Sequence, residues 1–166
     1  MPVKPWFRAL LLLSLGGCAL LPRRAATPEQ LRAQLLDADR AFAAAAAVRG
    51  LDGWLEFLAD DAVRIPRPGA AAVRGRAAIR ELDAPTFADP AVQWRWQPLD
   101  AGVFADGRHG FTTGRFRLLR REGATERLLG EGAYVTWWRR EEDGRWRVIL
   151  HTGAPDAPGA AAPPPG

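Results

Sequence analysis

Residues 131–155, EGAYVTWWRREEDGRWRVILHTGAP, decide the fold. The stretch reads as two long strands joined by a tight turn. Glu142-Asp143-Gly144 suits a three-residue hairpin loop, with Gly144 in the left-handed conformation that closes such loops. That loop pairs Glu141 with Arg145 and sets the register of everything beyond it. Tyr134, Thr136 and Trp138 then share a face with Trp146, Val148, Leu150 and Thr152. Ala133, Val135, Trp137 and Arg139 share the other with Arg147, Ile149 and His151. The first face is suited to lie under helices, and the second, edged with arginines, is partly solvated. A two-residue Asp143-Gly144 turn is the competing register and sets Trp138 opposite Ile149. The longer loop is preferred because it groups Trp138 with Val148 and Trp146.

Upstream, Thr27-Pro28-Glu29-Gln30 is a helix start, with Thr27 as N-cap, Pro28 at the first position and Gln30 completing a capping box. The helix is expected to run to about Arg49 and stop at Gly50. Leu31, Leu35, Ala38, Phe42, Ala45 and Arg49 follow its period. At about 100° per residue, Asp39 falls roughly 80° from Leu31, at the edge of the apolar stripe. It is the carboxylate of this helix best placed to turn inward. Asp52 can cap a short second helix, Gly53 to Leu58, broken by Asp60-Asp61. Ala62 to Arg67 reads as a short strand with Val63 and Ile65 alternating, and Gly75 caps a third helix through Ala78, Ile79 and Leu82 that ends at Pro85.

After Pro90 the hydrophobic period becomes two. Val92, Trp94 and Trp96 share one strand face. His109 to Glu122 is another strand, in which Phe111 lies on an odd position but Phe116 and Leu118 on even ones; this slip of parity suggests a bulge near Gly114. Helices first and long antiparallel strands last argue an α+β domain, with helices covering one face of a curved sheet.

The N-terminus reads as an address. Met1 to Arg8 is basic, Ala9 to Leu15 is apolar, and Leu15-Gly16-Gly17-Cys18 ends on the single cysteine of the chain. This segment resembles the lipobox of bacterial lipoproteins, which implies residues 1–17 as signal peptide and Cys18 as the acylated N-terminus. Residues 18–26 then form a tether, 27–155 the folded domain and 156–166 a disordered Ala/Pro/Gly tail. Ala19 after the cysteine resembles the pattern sorted to an outer membrane, so the expected location is the bacterial envelope, lipid-anchored and facing the periplasm. Of the 23 basic residues 22 are arginine, but Asp and Glu are interleaved with them. Removing Lys4 and Arg8 lowers the formal charge from +4 to +2, which argues against a nucleic-acid partner. One cysteine and two histidines make a metal site improbable, and no cofactor motif is present.

Several short runs resemble the SnoaL-like, ketosteroid-isomerase-like families of the nuclear transport factor 2-like superfamily. They are Asp39-Arg40-Ala41-Phe42, Phe57-Leu58-Ala59-Asp60-Asp61-Ala62-Val63, Gly75-Arg76-Ala77-Ala78-Ile79, Trp96-Gln97-Pro98, Gly110-Phe111-Thr112-Thr113-Gly114 and the Trp138…Trp146 hairpin. The resemblance covers roughly Pro28 to Pro155. It implies a cone, in which a strongly curved antiparallel sheet wraps the long first helix, and a pocket at the open end. It also implies a homodimer through the outer sheet face. The ketosteroid isomerases place a carboxylate base just after the Ala-Asp-Asp-Ala segment and a tyrosine donor on the first helix. Here the base position falls at Ile65-Pro66-Arg67, and the single tyrosine, Tyr134, is on a late strand.

The expected pocket is walled by Phe42, Trp54, Trp94, Trp96, Phe111, Tyr134 and Trp138, with Asp39, Thr113, Tyr134, Thr136 and Thr152 as the polar groups within reach. Three functions compete. The first is an envelope lipoprotein that binds a small apolar molecule. The second is a cofactor-free dehydratase, isomerase or hydrolase with Asp39 as proton carrier and Tyr134 as hydrogen-bond donor. The third is a protein-interaction module using the arginine-edged outer face. An acid buried beside Tyr134 favours the enzyme, a roomy apolar pocket without one favours binding, and a collapsed pocket favours the interaction role. His151 faces away from the pocket in the preferred register.

Overall fold

The computed structural model describes residues 26–157; the Cys18 segment and the chain after 157 lie outside them. Two helices and six strands follow in the order α1 (Pro28–Glu56), β1 (Leu58–Ile65), β2 (Val73–Arg74), α2 (Arg76–Phe87), β3 (Val92–Val103), β4 (His109–Glu122), β5 (Thr125–Arg140) and β6 (Trp146–Pro155). The strands form one sheet in the order β2-β1-β6-β5-β4-β3. All neighbours are antiparallel except β1 and β6, which run parallel. This is the cone-shaped α+β architecture of the nuclear transport factor 2-like fold, with α1 packed across the concave face of the sheet.

Local chemistry explains the element ends. Thr27 accepts a hydrogen bond from the Gln30 amide, and the Gln30 side chain accepts one from the Thr27 amide, so two orphan donors of α1 are satisfied reciprocally. Gly50 adopts φ 56°, ψ −131°, a left-handed turn that breaks the helical path. The helix resumes at once, however, so the expected second helix is the far limb of a kinked α1. It reaches Glu56, and Leu58 already belongs to β1. Asp60 and Asp61 sit within that strand as its exposed positions rather than breaking it. Pro85 is tolerated in the last turn of α2.

The hairpin closes as its turn chemistry requires. The Gly144 amide donates to the Glu141 carbonyl, the Glu141 amide to the Arg145 carbonyl, and Gly144 has φ 82°. Trp138 stands opposite Val148. One residue further the register shifts: Ile149 is bulged out, and Trp137 pairs with Leu150 and Thr136 with His151. A one-residue slip exchanges the two faces of everything beyond it. His151 therefore turns into the cone, and Leu150 and Thr152 turn out, the reverse of the expectation.

Two more bulges bend the sheet. Leu99 is extruded between Pro98 and Asp100, and Leu129 between Leu128 and Gly130. The expected bulge does fall at Gly114, but its extra residue is Leu99 on the partner strand β3. β4 itself carries no extra residue there and stays continuous against β5, so Gly110, Thr112, Gly114 and Phe116 keep one inward parity. Phe111 and Thr113 consequently lie on the outer face, where Phe111 joins Phe104 and Trp137. Gly114 is required for a different reason: a Cβ there would lie 2.1 Å from the Gln97 carbonyl oxygen and 2.7 Å from the Tyr134 hydroxyl.

The core lies between α1 and the sheet. Leu35, Phe42, Leu58, Ile79, Trp138 and Val148 are fully buried. Phe42 is its hub, with ring centroids 4.8 Å from Trp54, 4.9 Å from Trp96 and 5.9 Å from Trp138. The domain also runs past its expected end at residue 155. The Asp156 amide donates to the Glu131 carbonyl, and its carboxylate pairs with Arg115.

Candidate functional site

The register of the sheet sets a row of side chains across its concave face. Arg64 on β1 is the partner of His151 on β6, His151 of Thr136 on β5, and Thr136 of Thr112 on β4. All four are buried. The next inward row carries Gly153, Tyr134 and Gly114. Pleating places both rows on the side facing α1.

Asp39 meets these rows from the helix and is 0% exposed. Its carboxylate accepts from Trp96 Nε1 at 2.8 Å and from the Tyr134 hydroxyl at 2.9 Å. Thr112 supplies a third contact and itself accepts from Trp138 Nε1 at 2.9 Å. Burial raises the Asp39 carboxyl above its ordinary value, and the hydrogen bonds from Thr112, Trp96 and Tyr134 offset part of that rise. Burial, then the neighbouring carboxylate, pushes the Tyr134 phenol far up, so it stays protonated and donates. Asp39 and Tyr134 thus do share one interior, as their sequence positions imply.

Beyond this group opens a cavity of about 290 Å³. Trp54, Trp94, Trp96, Phe116, Leu118 and Tyr134 form its walls, and Arg64 and His151 are its buried polar groups. Trp94 stacks on Phe116 at 5.4 Å and 23°. Glu131 also touches the cavity, but its carboxylate turns to Arg117 at 3.6 Å.

Of the wall residues expected from sequence, Trp54, Trp94, Trp96 and Tyr134 line the cavity. Phe42 and Trp138 lie beneath it in the core, and Phe111 is on the opposite face. Among the expected polar groups, Thr136 acts through His151, its hydroxyl 2.8 Å from Nδ1. Thr113 and Thr152 face outward, on either side of their shared strand partner Val135. Asp39 stands behind the wall formed by Tyr134 and Trp96.

Arg64 and Asp83 are not among the residues expected from sequence, and His151 was expected on the outer face. Arg64 sits between Val63 and Ile65 on β1, and it is the arginine that faces in, with 5% exposure. Its Nε lies 3.6 Å from Asp83, which projects from α2 one turn beyond the buried Ile79. Arg64 is also 5.7 Å from the Trp54 ring centroid. Burial raises the Asp83 carboxyl and lowers the Arg64 guanidinium, each partly countered by the other's charge. Burial and the Arg64 charge together hold His151 well below the usual imidazole range, so the ring is neutral. The signal available in the sequence was Asp83 itself, four residues from Ile79 on the same helix face. Among the described residues no three His, Cys, Asp or Glu side chains stand together as a metal site.

This architecture, a long helix and a second short one against a six-stranded curved open sheet, is the nuclear transport factor 2-like cone fold. Within it, residues 39–149 match the SnoaL-like domain, and the chain belongs to that family. None of the curated proteins matches the chain. Among solved structures it is similar to a nuclear transport factor 2-like protein with a cystatin-like fold from Novosphingobium aromaticivorans, with TM-score 0.62 and 19% identity over 78% of this chain and 83% of that one. It is similar also to a ketosteroid isomerase-like protein from Erwinia carotovora atroseptica, with TM-score 0.61 and 15% identity over 76% of this chain and 96% of that one. A Catenulispora acidiphila protein in complex with S-DNPA matches with TM-score 0.62 and 15% identity over 74% of this chain and 91% of that one. At these identities the likeness is one of fold.

Proposed function

We propose that this protein binds a small, flat, mostly apolar molecule in the cavity at the mouth of the cone, without transforming it. The observation that carries this reading is where the buried acid stands. Asp39 lies beside Tyr134, the arrangement expected of an enzyme. Yet its carboxylate is occupied by donors from its own wall and has no exposure, so it fixes Trp96 and Tyr134 and leaves the cavity itself lined mainly by aromatic surface. The structure of the Catenulispora protein in complex with S-DNPA supports this reading.

Gly130 offers a direct test. It lines the cavity, and a Cβ there meets nothing within 4 Å, so Gly130→Trp has room to start a side chain meant to occupy the space. Quenching of the cavity tryptophans by 2-naphthamide is expected in the wild type and not in this variant. Equal quenching in both, or none in either, sinks the reading.

The hydrogen bond between Tyr134 and Asp39 supports a second reading, a cofactor-free dehydratase, isomerase or hydrolase. There the raised Asp39 carboxyl would hold a proton exchanged through Tyr134. Turnover of a bound ligand that Asp39→Asn abolishes while binding persists would establish it.

The protein is further proposed to be lipid-anchored through Cys18 in the bacterial envelope, facing the periplasm. Labelled palmitate should enter the wild type and not Cys18→Ala. Dimerisation through the outer sheet face is supported by the partly exposed Trp137 and Phe104 there. Sedimentation should give twice the protomer mass, reduced to one by Trp137→Lys.

A further inference from the structure

The cavity is apolar in area but not in charge, and its buried cation is incompletely used. Arg64 has five N–H donors. Among the described residues it makes one hydrogen bond, from Nη1 to the Ile65 carbonyl at 2.8 Å. Its Nε and the nearest Asp83 oxygen, 3.6 Å apart, are both buried and both without a hydrogen-bond partner. The Trp54 indole N–H stands beside the same carboxylate and closes no hydrogen bond either. Buried groups of this kind are ordinarily satisfied, and a guanidinium most strongly so by a planar oxyanion that takes two donors at once.

The surroundings fit such a partner. His151 is the strand neighbour of Arg64, and its Nδ1 is held by Thr136, which leaves Nε2 as the free ring nitrogen of a neutral imidazole. A neutral ring adds a hydrogen bond without a second charge. Glu131, the carboxylate among the lining residues, is drawn away to Arg117. Trp94, Trp96 and Phe116 supply flat apolar surface for the rest of a ligand.

We infer that the ligand is a flat aromatic acid, its carboxylate held by Arg64 with His151 beside it and its ring body against Trp94, Trp96 and Phe116. This rests on the small-molecule reading above and sharpens it. Arg64 is then a specificity-determining residue, and Thr136 and Trp54 position the pair around it.

The test is calorimetric titration of the purified full-length protein with 2-naphthoate and with 2-naphthamide, which match in shape and differ in charge. Naphthoate is expected to bind at least about tenfold tighter, the scale of one charge-assisted hydrogen-bonded pair. Because Arg64→Met alone strands the Asp83 carboxylate, the variant of choice is Arg64→Met with Asp83→Leu. It should bind both compounds alike, naphthoate having lost its advantage over naphthamide. Arg64→Lys, which keeps the charge and loses the planar fork, should retain only part of the preference. Equal affinity of the wild type for both compounds overturns the acid inference and leaves the small-molecule reading standing. Naphthoate preference that persists in the double variant overturns the assignment to Arg64. Failure of both compounds to bind overturns the acid inference and the reading beneath it together.

Discussion

Two carboxylates are buried in this small domain, and the chain treats them in opposite ways. Asp39, on the long helix, is met by neutral donors, two indole or phenol groups at 2.8 and 2.9 Å and a threonine beside them. Asp83, on the second helix, is met by a cation that approaches to 3.6 Å and stops short of a hydrogen bond. The first arrangement is closed. It ties α1 to β3, β4 and β5, and it sets the orientation of the two aromatic side chains that form one wall of the cavity. The second is open, since both the guanidinium and the carboxylate keep unused hydrogen-bonding capacity and Arg64 lines the cavity. A satisfied buried polar group specifies a structure, whereas an unsatisfied one calls for a partner that water, an ion or a ligand can supply.

Substitution should separate the two most sharply at Arg64. Arg64→Met leaves Asp83 buried without its cation and is expected to cost about 3–5 kcal/mol. Adding Asp83→Leu should restore most of that, because an ion pair this poorly closed contributes little beyond neutralising itself. Urea unfolding of the single and double variants measures both, and an undisturbed single variant would mean that Asp83 carries no charge in the fold.

At Asp39 the loss should be smaller but harder to rescue. Asp39→Asn turns an N–H₂ group toward at least one of the wall's donors, at an expected cost of about 1–3 kcal/mol. It should also broaden the resonances of the Trp96 and Tyr134 rings. Gly114→Ala should mimic it from the other side by displacing the Tyr134 hydroxyl.

Acid titration sharpens the contrast further, because Asp39 and His151 shift in opposite directions. The folded Asp39 value is raised above 3.8, so its contribution is fullest below that pH and is lost as pH climbs through the folded value. The folded His151 value is lowered below 6.5, so its contribution is present above 6.5 and is lost as pH falls toward the folded value. The wild type should therefore lose stability below pH 6.5 at up to about 1.4 kcal/mol per pH unit, and His151→Asn should remove that slope. A slope unchanged in the variant would assign it elsewhere.

The smallest effect is expected outside the cone. Trp137 is 45% exposed on the outer face, and Trp137→Thr should shift the stability of the isolated protomer by no more than about 0.5 kcal/mol. Ligand affinity should be unaffected.

What could be read from the sequence follows from which physics is local. The capping box at Thr27, the left-handed Gly144 and the pairing of Trp138 with Val148 each depend on a few adjacent residues, and each stands in the structure. Asp39 was legible too, since helix geometry alone carries it to the edge of the buried stripe. The extruded residues were not legible, and the bulge expected near Gly114 falls there on the partner strand instead. Ile149, Leu99 and Leu129 are ordinary strand residues, and nothing local marks them as the ones extruded where the sheet bends. Because a slip of one residue exchanges faces, that single omission at Ile149 turned His151 out and Thr152 in. A parity misread at Phe111 placed it and Thr113 in the pocket for the same reason. Arg64 was hidden by a sound rule applied at the wrong place, for an arginine between valine and isoleucine ordinarily marks the solvent face. Only a carboxylate delivered from another helix makes its burial tolerable.

The most direct measurement is native mass spectrometry of the full-length protein as purified, wild type beside Gly130→Trp. The account predicts a small-molecule adduct on the wild type, one per protomer, that is released on activation and missing from the variant. Wild type and variant that both carry only their own polypeptide mass, or that carry the same adduct, would contradict it.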